Sequence, residues 1–242
     1  MLVNRLKSVI PDREMPVRIL FGPFRGAVIV LNPRSSLRKI FGLYERELNR
    51  CLQRLLPAVS KIIDVGANDG YFTFGCAAAF ARLGTVGEII SFEPQEQHAR
   101  TLRQTIGQES NGTVRIKIVQ SLVGSQAGPG VTTLDAIRWT GGDPDCRANT
   151  LIKIDVEGAE FEVLKGASSW LNSSNHFLIE VHTEPLLERI IQLFENRKLQ
   201  LTRIDQQPAL LLGREMRSHQ NWWLVPLKRH KSLRTQRREQ HR

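Results

Sequence analysis

The sequence predicts an α/β fold, a mostly parallel sheet with helices on both faces. Three observations predict it. From Lys61 onward, short β-prone runs at 61–66, 88–93, 115–120, 151–156 and 177–182 alternate with helical segments, the rhythm of crossover units feeding a parallel sheet. The intervening segments 71–83, 95–106 and 159–171 have crossover-helix length, and the last places Phe161, Leu164, Ala167, Trp170 and Leu171 on one face. The first run also ends in Asp64-Val65-Gly66-Ala67-Asn68-Asp69-Gly70 and passes directly into a helix, the way open α/β sheets hold nucleotide-like ligands.

Taken in order, residues 17–31 hold two β-prone runs around Gly22-Pro23 and Gly26 and predict a hairpin. Tyr44, Leu48, Cys51, Leu52, Leu55 and Leu56 recur at steps of three and four, which predicts an amphipathic helix stopped near Pro57. Residues 1–60 therefore form a small hairpin-and-helix unit leaning on a core at 61–227. After His182, Thr183-Glu184-Pro185 offers an N-cap followed by Pro in the first turn, and Leu186, Leu187, Ile190, Ile191 and Phe194 supply a buried stripe. Residues 199–204 and 222–227 predict a closing antiparallel pair, and the polar stretch 213–220 between them has no assignable element.

With 242 residues, 41% of them hydrophobic, the chain can fill one sizeable α/β core but not two. No apolar run reaches the roughly 20 residues of a membrane span, and Asn4, Arg5 and Lys7 break any signal-peptide core, so a cytoplasmic protein is expected. On that reading the sequons at Asn111 and Asn172 carry no glycan. Cys51, Cys76 and Cys146 lack the Cys-x-x-Cys spacing of zinc or redox sites. The formal charge of +10 is concentrated in 228–242, which holds seven Lys or Arg against the single acid Glu239. Such a tail is expected to be solvated and disordered, with an anionic partner as the alternative.

The loop carries the chemistry. Gly66 and Gly70 are separated by three non-glycine residues and preceded by an acid, unlike the Gly-x-Gly-x-x-Gly cradle of a pyrophosphate. A carboxylate at Asp64 suits a ligand whose near end is a cationic amino-acid group. Glu93, ending the second run, is placed to accept hydrogen bonds from both hydroxyls of a ribose.

In IIDVGANDGYFT (62–73), SFEP (91–94), TTLD (132–135), LIKIDVEGAEFEVLKGA (151–167) and IEVH (179–182), the chain resembles the FkbM family of methyltransferases across most of 61–182. The lead-in GLYERE (42–47) is similar as well. The resemblance implies a class I methyltransferase fold with a Rossmann-like sheet, S-adenosylmethionine as donor and a hydroxyl oxygen as the usual acceptor, on a sugar, glycolipid or secondary metabolite. It implies that Asp64, Gly66, Ala67, Asn68 and Gly70 line the methionine and ribose side, that Glu93 holds the ribose, and that Gln120 and Ser121 neighbour the adenine. Between Gly124 and Thr132 the family's longer insertion is shortened to a few small residues.

An alcohol acceptor needs a base. His182 is best matched by its ordinary pKa, with Asp155 and Glu157 in the same crevice as alternatives, and Asp155 also reaches the cofactor side. Strand parity puts Lys153 and Asp155 on one face, and Glu180 and His182 likewise. A neighbouring register offset by 27 residues then predicts Lys153 beside Glu180 and Asp155 beside His182, with Asp155 orienting the imidazole. No dense metal-ligand motif occurs, so no metal is assigned. A divalent ion on Asp155 with Glu157, Glu180 or His182 is the alternative. The competing functional class is RNA binding or modification by way of the basic tail. It lacks both an Asn/Asp-Pro-Pro-aromatic string and a recognisable RNA-binding module. A scaffold that kept the fold without turnover is a further option, opposed by the intact loop and Glu93.

Overall fold

A computed structural model describes residues 10–109, 112–140, 146–204 and 222–226. Residues 1–9, the polar stretch 213–220 and the basic segment 228–242 lie outside the described residues. Strands β1 (Met15–Arg18) and β2 (Val28–Leu31) form the expected hairpin, with Met15 opposite Leu31. A short helix α1 (Leu37–Ile40) follows. The single helix expected at 44–56 is a one-turn 3-10 segment, Arg46–Leu48, running into α2 (Asn49–Leu55), and a second 3-10 turn carries Pro57.

The main sheet comprises β3 (Lys61–Val65), β4 (Gly87–Phe92), β5 (Val114–Val119), β8 (Thr150–Ile154), β9 (His176–Val181), β10 (Leu201–Ile204) and β11 (Trp222–Pro226). Two-residue strands β6 (Leu122–Val123) and β7 (Val131–Thr132) pair with each other in a separate small sheet flanking the shortened segment. The spatial order is β10-β11-β9-β8-β3-β4-β5. The five strands from β9 to β5 run parallel, while β11 and β10 close the sheet antiparallel. The chain leaves β3 toward β5 and later returns to β8 on β3's other side. The crevice at the carboxyl ends of β3 and β8 is therefore the switch point where such sheets bind ligands.

Helices α3 (Tyr71–Leu83) and α4 (Glu96–Glu109) pack on one face together with the N-terminal hairpin, and α5 (Glu160–Lys165) and α6 (Glu184–Glu195) on the other. Strands β8 and β9 are buried along their whole length, which explains why they read as apolar runs rather than alternating ones. The N-terminal unit is fastened by Phe24, whose ring meets Tyr71 and Phe72 edge-on.

Two expectations need correction. The helix expected at 159–171 ends at Lys165, because Gly166 is pressed against the Gly124 carbonyl, where an added Cβ would lie 2.1 Å from the oxygen. The turn beyond it is held by Asp135 of the TTLD string, whose carboxylate accepts hydrogen bonds from Ser168 and Ser169, and by Trp170, whose indole donates to Leu134 O at 2.9 Å. The β8–β9 register is offset by 25 residues rather than 27, with Lys153 opposite Leu178. Asn175 sets it: its side-chain oxygen accepts from Thr150 N at 3.2 Å while Asn149 N donates to Ser174 O. Both offsets are odd, so Lys153, Asp155, Glu180 and His182 share a face as parity requires, but the pairs change. Lys153 falls opposite Leu178 and reaches Asp155 and Asp64, while the expected neighbours Asp155 and His182 do stand together, 3.8 Å apart.

Gly75 sits in α3 where an added Cβ would lie 2.3 Å from the Phe24 ring. Alanine would favour the helix by about 1 kcal/mol, but overpacking a buried ring costs roughly 1–3 kcal/mol. Three ring atoms crowd the position, so the cost should win. Gly75→Ala is expected to lower the urea midpoint of unfolding, and an unchanged or raised midpoint would show that the hairpin yields without loss.

Candidate active site

A cleft of about 740 Å³ opens at the carboxyl ends of the parallel strands. Of the residues expected in the site, Gly66, Asn68, Glu93, Ser121, Asp155, Glu157 and His182 line it. Asp64, Ala67, Gly70 and Gln120 do not. Ala67 lines a smaller adjoining cavity, Gly70 supplies the left-handed turn that starts α3, and Gln120 is turned toward the Arg103 guanidinium at 3.5 Å.

Asp64 is fully buried beneath the loop rather than in contact with the cleft. Its Oδ2 accepts from Thr73 Oγ1 at 2.6 Å, and Thr73 shares a 2.7 Å hydrogen bond with Ser91. Lys153 Nζ lies 3.8 Å from Asp64 Oδ1 and 3.0 Å from Asp155 Oδ2. Burial pushes the Asp64 carboxyl up to about 6, against the lowering pull of Lys153 and the Thr73 hydroxyl. Burial pulls the Lys153 pKa down, but Asp155, Asp64 and Glu45 outweigh it and hold the ammonium well above its ordinary value. Burial would likewise raise Asp155, yet Lys153 and then His182 keep it below the usual carboxylate range.

The loop itself is shaped by close backbone approach. Gly66 has φ +86°, and a Cβ there would lie 1.9 Å from Asp155 O. Glu93 closes the loop from β4: its Oε2 accepts from Asn68 N at 2.8 Å and its Oε1 from Gln95 N at 2.9 Å. Each carboxylate oxygen has a second acceptor position. His98 Nδ1, which the sequence did not single out, stands 3.9 Å from Glu93 Oε1 and also borders the cleft.

Residues 109–201 match the methyltransferase FkbM domain. That match spans well under half of the 242 residues. It is 33% identical over 66 residues to the hexuronic acid methyltransferase AglP of Haloferax volcanii, a stretch covering 26% of this chain and 28% of that protein. The crystal structure of the methyltransferase FkbM from Methylobacillus flagellatus KT superimposes with a TM-score of 0.54 at 19% identity, covering 70% of this chain and 44% of that one. The chain thus spans less than half the length of either relative. At that identity the likeness speaks for the fold, which is that of the class I methyltransferases.

Within the matched stretch, the partner of His182 is one that sequence reasoning missed. His182 Nδ1 is hydrogen-bonded to Glu160 Oε1, while Nε2 faces Asp155 Oδ1 at 3.8 Å and Glu157 Oε2 at 3.6 Å. Glu160, not Asp155, orients the ring. It is fully buried in the first turn of α5 and also accepts from Gly158 N at 2.9 Å. Burial pulls the imidazole pKa down, but the Glu160 hydrogen bond and charge, with Glu180 and Asp155, raise it above 6.5 overall. Among the described residues no helix is long and apolar enough to cross a membrane.

A raised histidine pKa adds stability that is complete below the unfolded-state value near 6.5 and is lost as pH climbs through the folded value. Glu160→Gln keeps an acceptor for Nδ1 but removes the charge. NMR titration of the His182 ring is expected to show a lower midpoint in the variant. The stability gap between wild type and variant should also narrow at alkaline pH, and an unmoved midpoint would refute Glu160 as the dominant influence.

Proposed function

We propose that this chain is an S-adenosylmethionine-dependent methyltransferase acting on a hydroxyl oxygen of a sugar, glycolipid or secondary-metabolite acceptor. The observation that carries the reading is the placement of two unlike groups on one cleft: the buried carboxylate of Glu93 at the end of β4 and the imidazole of His182 just beyond β9. The cleft fits the donor. The Gly66 turn keeps side chains out of the loop's crossing with Asp155, and the acid-rich lining suits a ligand that carries positive charge. Glu93 would hold the ribose hydroxyls, and Asn68 and Ser121 would border the nucleoside.

S-adenosylmethionine supplies a methyl group already activated on a cationic sulfur, so the protein has mainly to align the acceptor oxygen and keep water out. His182 would take the hydroxyl proton at Nε2. It must be neutral to do so, and its raised pKa places the rising limb of activity on the alkaline side of 6.5. Glu160 would fix the ring through Nδ1. The AglP relative, by its name a hexuronic acid methyltransferase, supports a sugar acceptor. The carboxylates of Asp155, Glu157 and Glu180 disfavour the RNA alternative, since they would repel a phosphate backbone from the cleft.

A second reading has its own observation: one ligand atom each from Asp155, Glu157 and His182 lies within 4.8 Å of the others, a spacing that suits a divalent ion polarising the acceptor hydroxyl. Loss of turnover on chelation, restored by added metal, would favour it over a proton-accepting imidazole.

Calorimetry with S-adenosylhomocysteine tests the cofactor role. Glu93→Ala removes two hydrogen bonds to a charged group, each worth roughly 1.5–3 kcal/mol, and should weaken binding strongly. Glu93→Gln, which still has an acceptor for Asn68 N, separates that loss from a collapsed loop. Undiminished affinity in both variants would remove the ribose role. Mass spectrometry of extracts with and without active protein should reveal an acceptor heavier by one methyl. With that acceptor, His182→Ala is expected to lose turnover while keeping cofactor affinity, and a fully active variant would end its catalytic assignment.

A further inference from the structure

The cleft has an annex. A cavity of about 30 Å³ adjoins it, sharing Tyr44, Gly66, Asn68 and Asp155 with the main space and adding Lys39 and Glu45 from the lead-in to the sheet. These two residues are of opposite charge and flank the glycine loop, with Lys153 of β8 and Asp69 also lining the annex. Glu45 is buried in spite of its charge and adopts φ +49°, a conformation uncommon for a non-glycine residue. Its carboxylate lies within 4.8 Å of those of Asp155 and Glu180. Lys153 already serves Asp155 and Asp64. Lys39, on the annex's other wall, is ion-paired with Asp69 and lies over the Tyr44 ring at 4.7 Å from its centroid. An ammonium has three donors, of which Asp69 accepts one.

An annex with an ammonium on one wall and a buried carboxylate on another matches a zwitterion. We infer that residues 39–45 complete the binding site for the amino-acid end of the cofactor, Glu45 receiving its α-ammonium and Lys39 its carboxylate. The inference rests on the S-adenosylmethionine reading above. It gives the N-terminal lead-in a role in ligand binding besides covering the sheet, and it replaces Asp64 as the acid that meets the amino group, since Asp64 is sealed beneath the loop. Tyr44, common to both spaces, would stand at the junction between the amino-acid end and the rest of the ligand.

Two probes separate the ends of the ligand. S-adenosylhomocysteine carries the α-amino acid, and methylthioadenosine has the same nucleoside and sulfur without it. Calorimetry on the full chain should show that wild type binds both. Glu45→Gln and Lys39→Met should each weaken S-adenosylhomocysteine by about tenfold, the loss of one charge-assisted hydrogen bond, and leave methylthioadenosine unchanged. Unchanged affinity of both variants for S-adenosylhomocysteine, or equal losses for the two probes, would overturn the assignment. Failure of wild type to bind either probe would instead overturn the cofactor reading on which it depends. Methylthioadenosine also reports folding: a variant that binds it normally has an intact cleft.

Discussion

The structure around the cleft depends on one buried ammonium. Lys153 lies in the middle of β8 with its charge sealed from water, and it bridges Asp64 on β3 to Asp155 just past the end of β8. Asp64 and Lys153 are directly opposed across the two strands that flank the switch point, with Ser91 next in line on β4. Removing either partner of such a group leaves an uncompensated charge, a cost of roughly 3–5 kcal/mol. The bridge therefore fixes how β3 and β8 stand relative to each other where the crevice opens. It also leaves Asp155 ionised and aimed at the cleft, with one oxygen on Lys153 and the other toward His182.

The order of strands and the identity of the loop were legible because they are written in local patterns: apolar runs, glycines and a carboxylate at a strand end. The five parallel strands fall within a residue or two of expectation, and Gly66, Asn68 and Glu93 meet at the cleft. Pairing across strands is not local. Parity placed Lys153, Asp155, Glu180 and His182 on one face, but the register was set by the Asn175 side chain and missed by two residues. That slip moved Lys153 from a carboxylate to Leu178 and hid its true partners. Asp64 was misjudged for a related reason: an acid at a strand end looks available to a ligand, whereas here a lysine and a threonine hold it underneath.

Glu160 escaped notice because its contact depends on a reversal that spacing does not show. Glu157 and Gly158 both adopt positive φ, +50° and +102°, and this folds the start of α5 back under the end of β9. The available signal was slight. An acid in the first turn of a helix normally serves the helix's own N–H groups, and Glu160 does accept from Gly158 N before it reaches His182. Glu45 was equally obscure, since a glutamate in the left-handed region has no sequence signature.

The distribution of charge decides what the cleft can admit. The chain carries a formal +10, yet its cleft is lined by Glu93, Asp155, Glu157 and Glu180. Interactions across exposed surface decay within about 8 Å at physiological ionic strength, whereas charges in a walled crevice are screened far less. Basic residues elsewhere on the chain therefore do little to offset the crevice acids at contact range. On the proposed function, this lining would favour a cationic donor and disfavour a polyanion. S-adenosylhomocysteine lacks the sulfonium charge of S-adenosylmethionine, so on the same reading these carboxylates would hold the product less firmly than the donor. Of the lining acids, Asp155 is the one tied to Lys153, whose ammonium keeps it below the usual carboxylate range, so the buried bridge and the charge of the cleft are coupled at that residue.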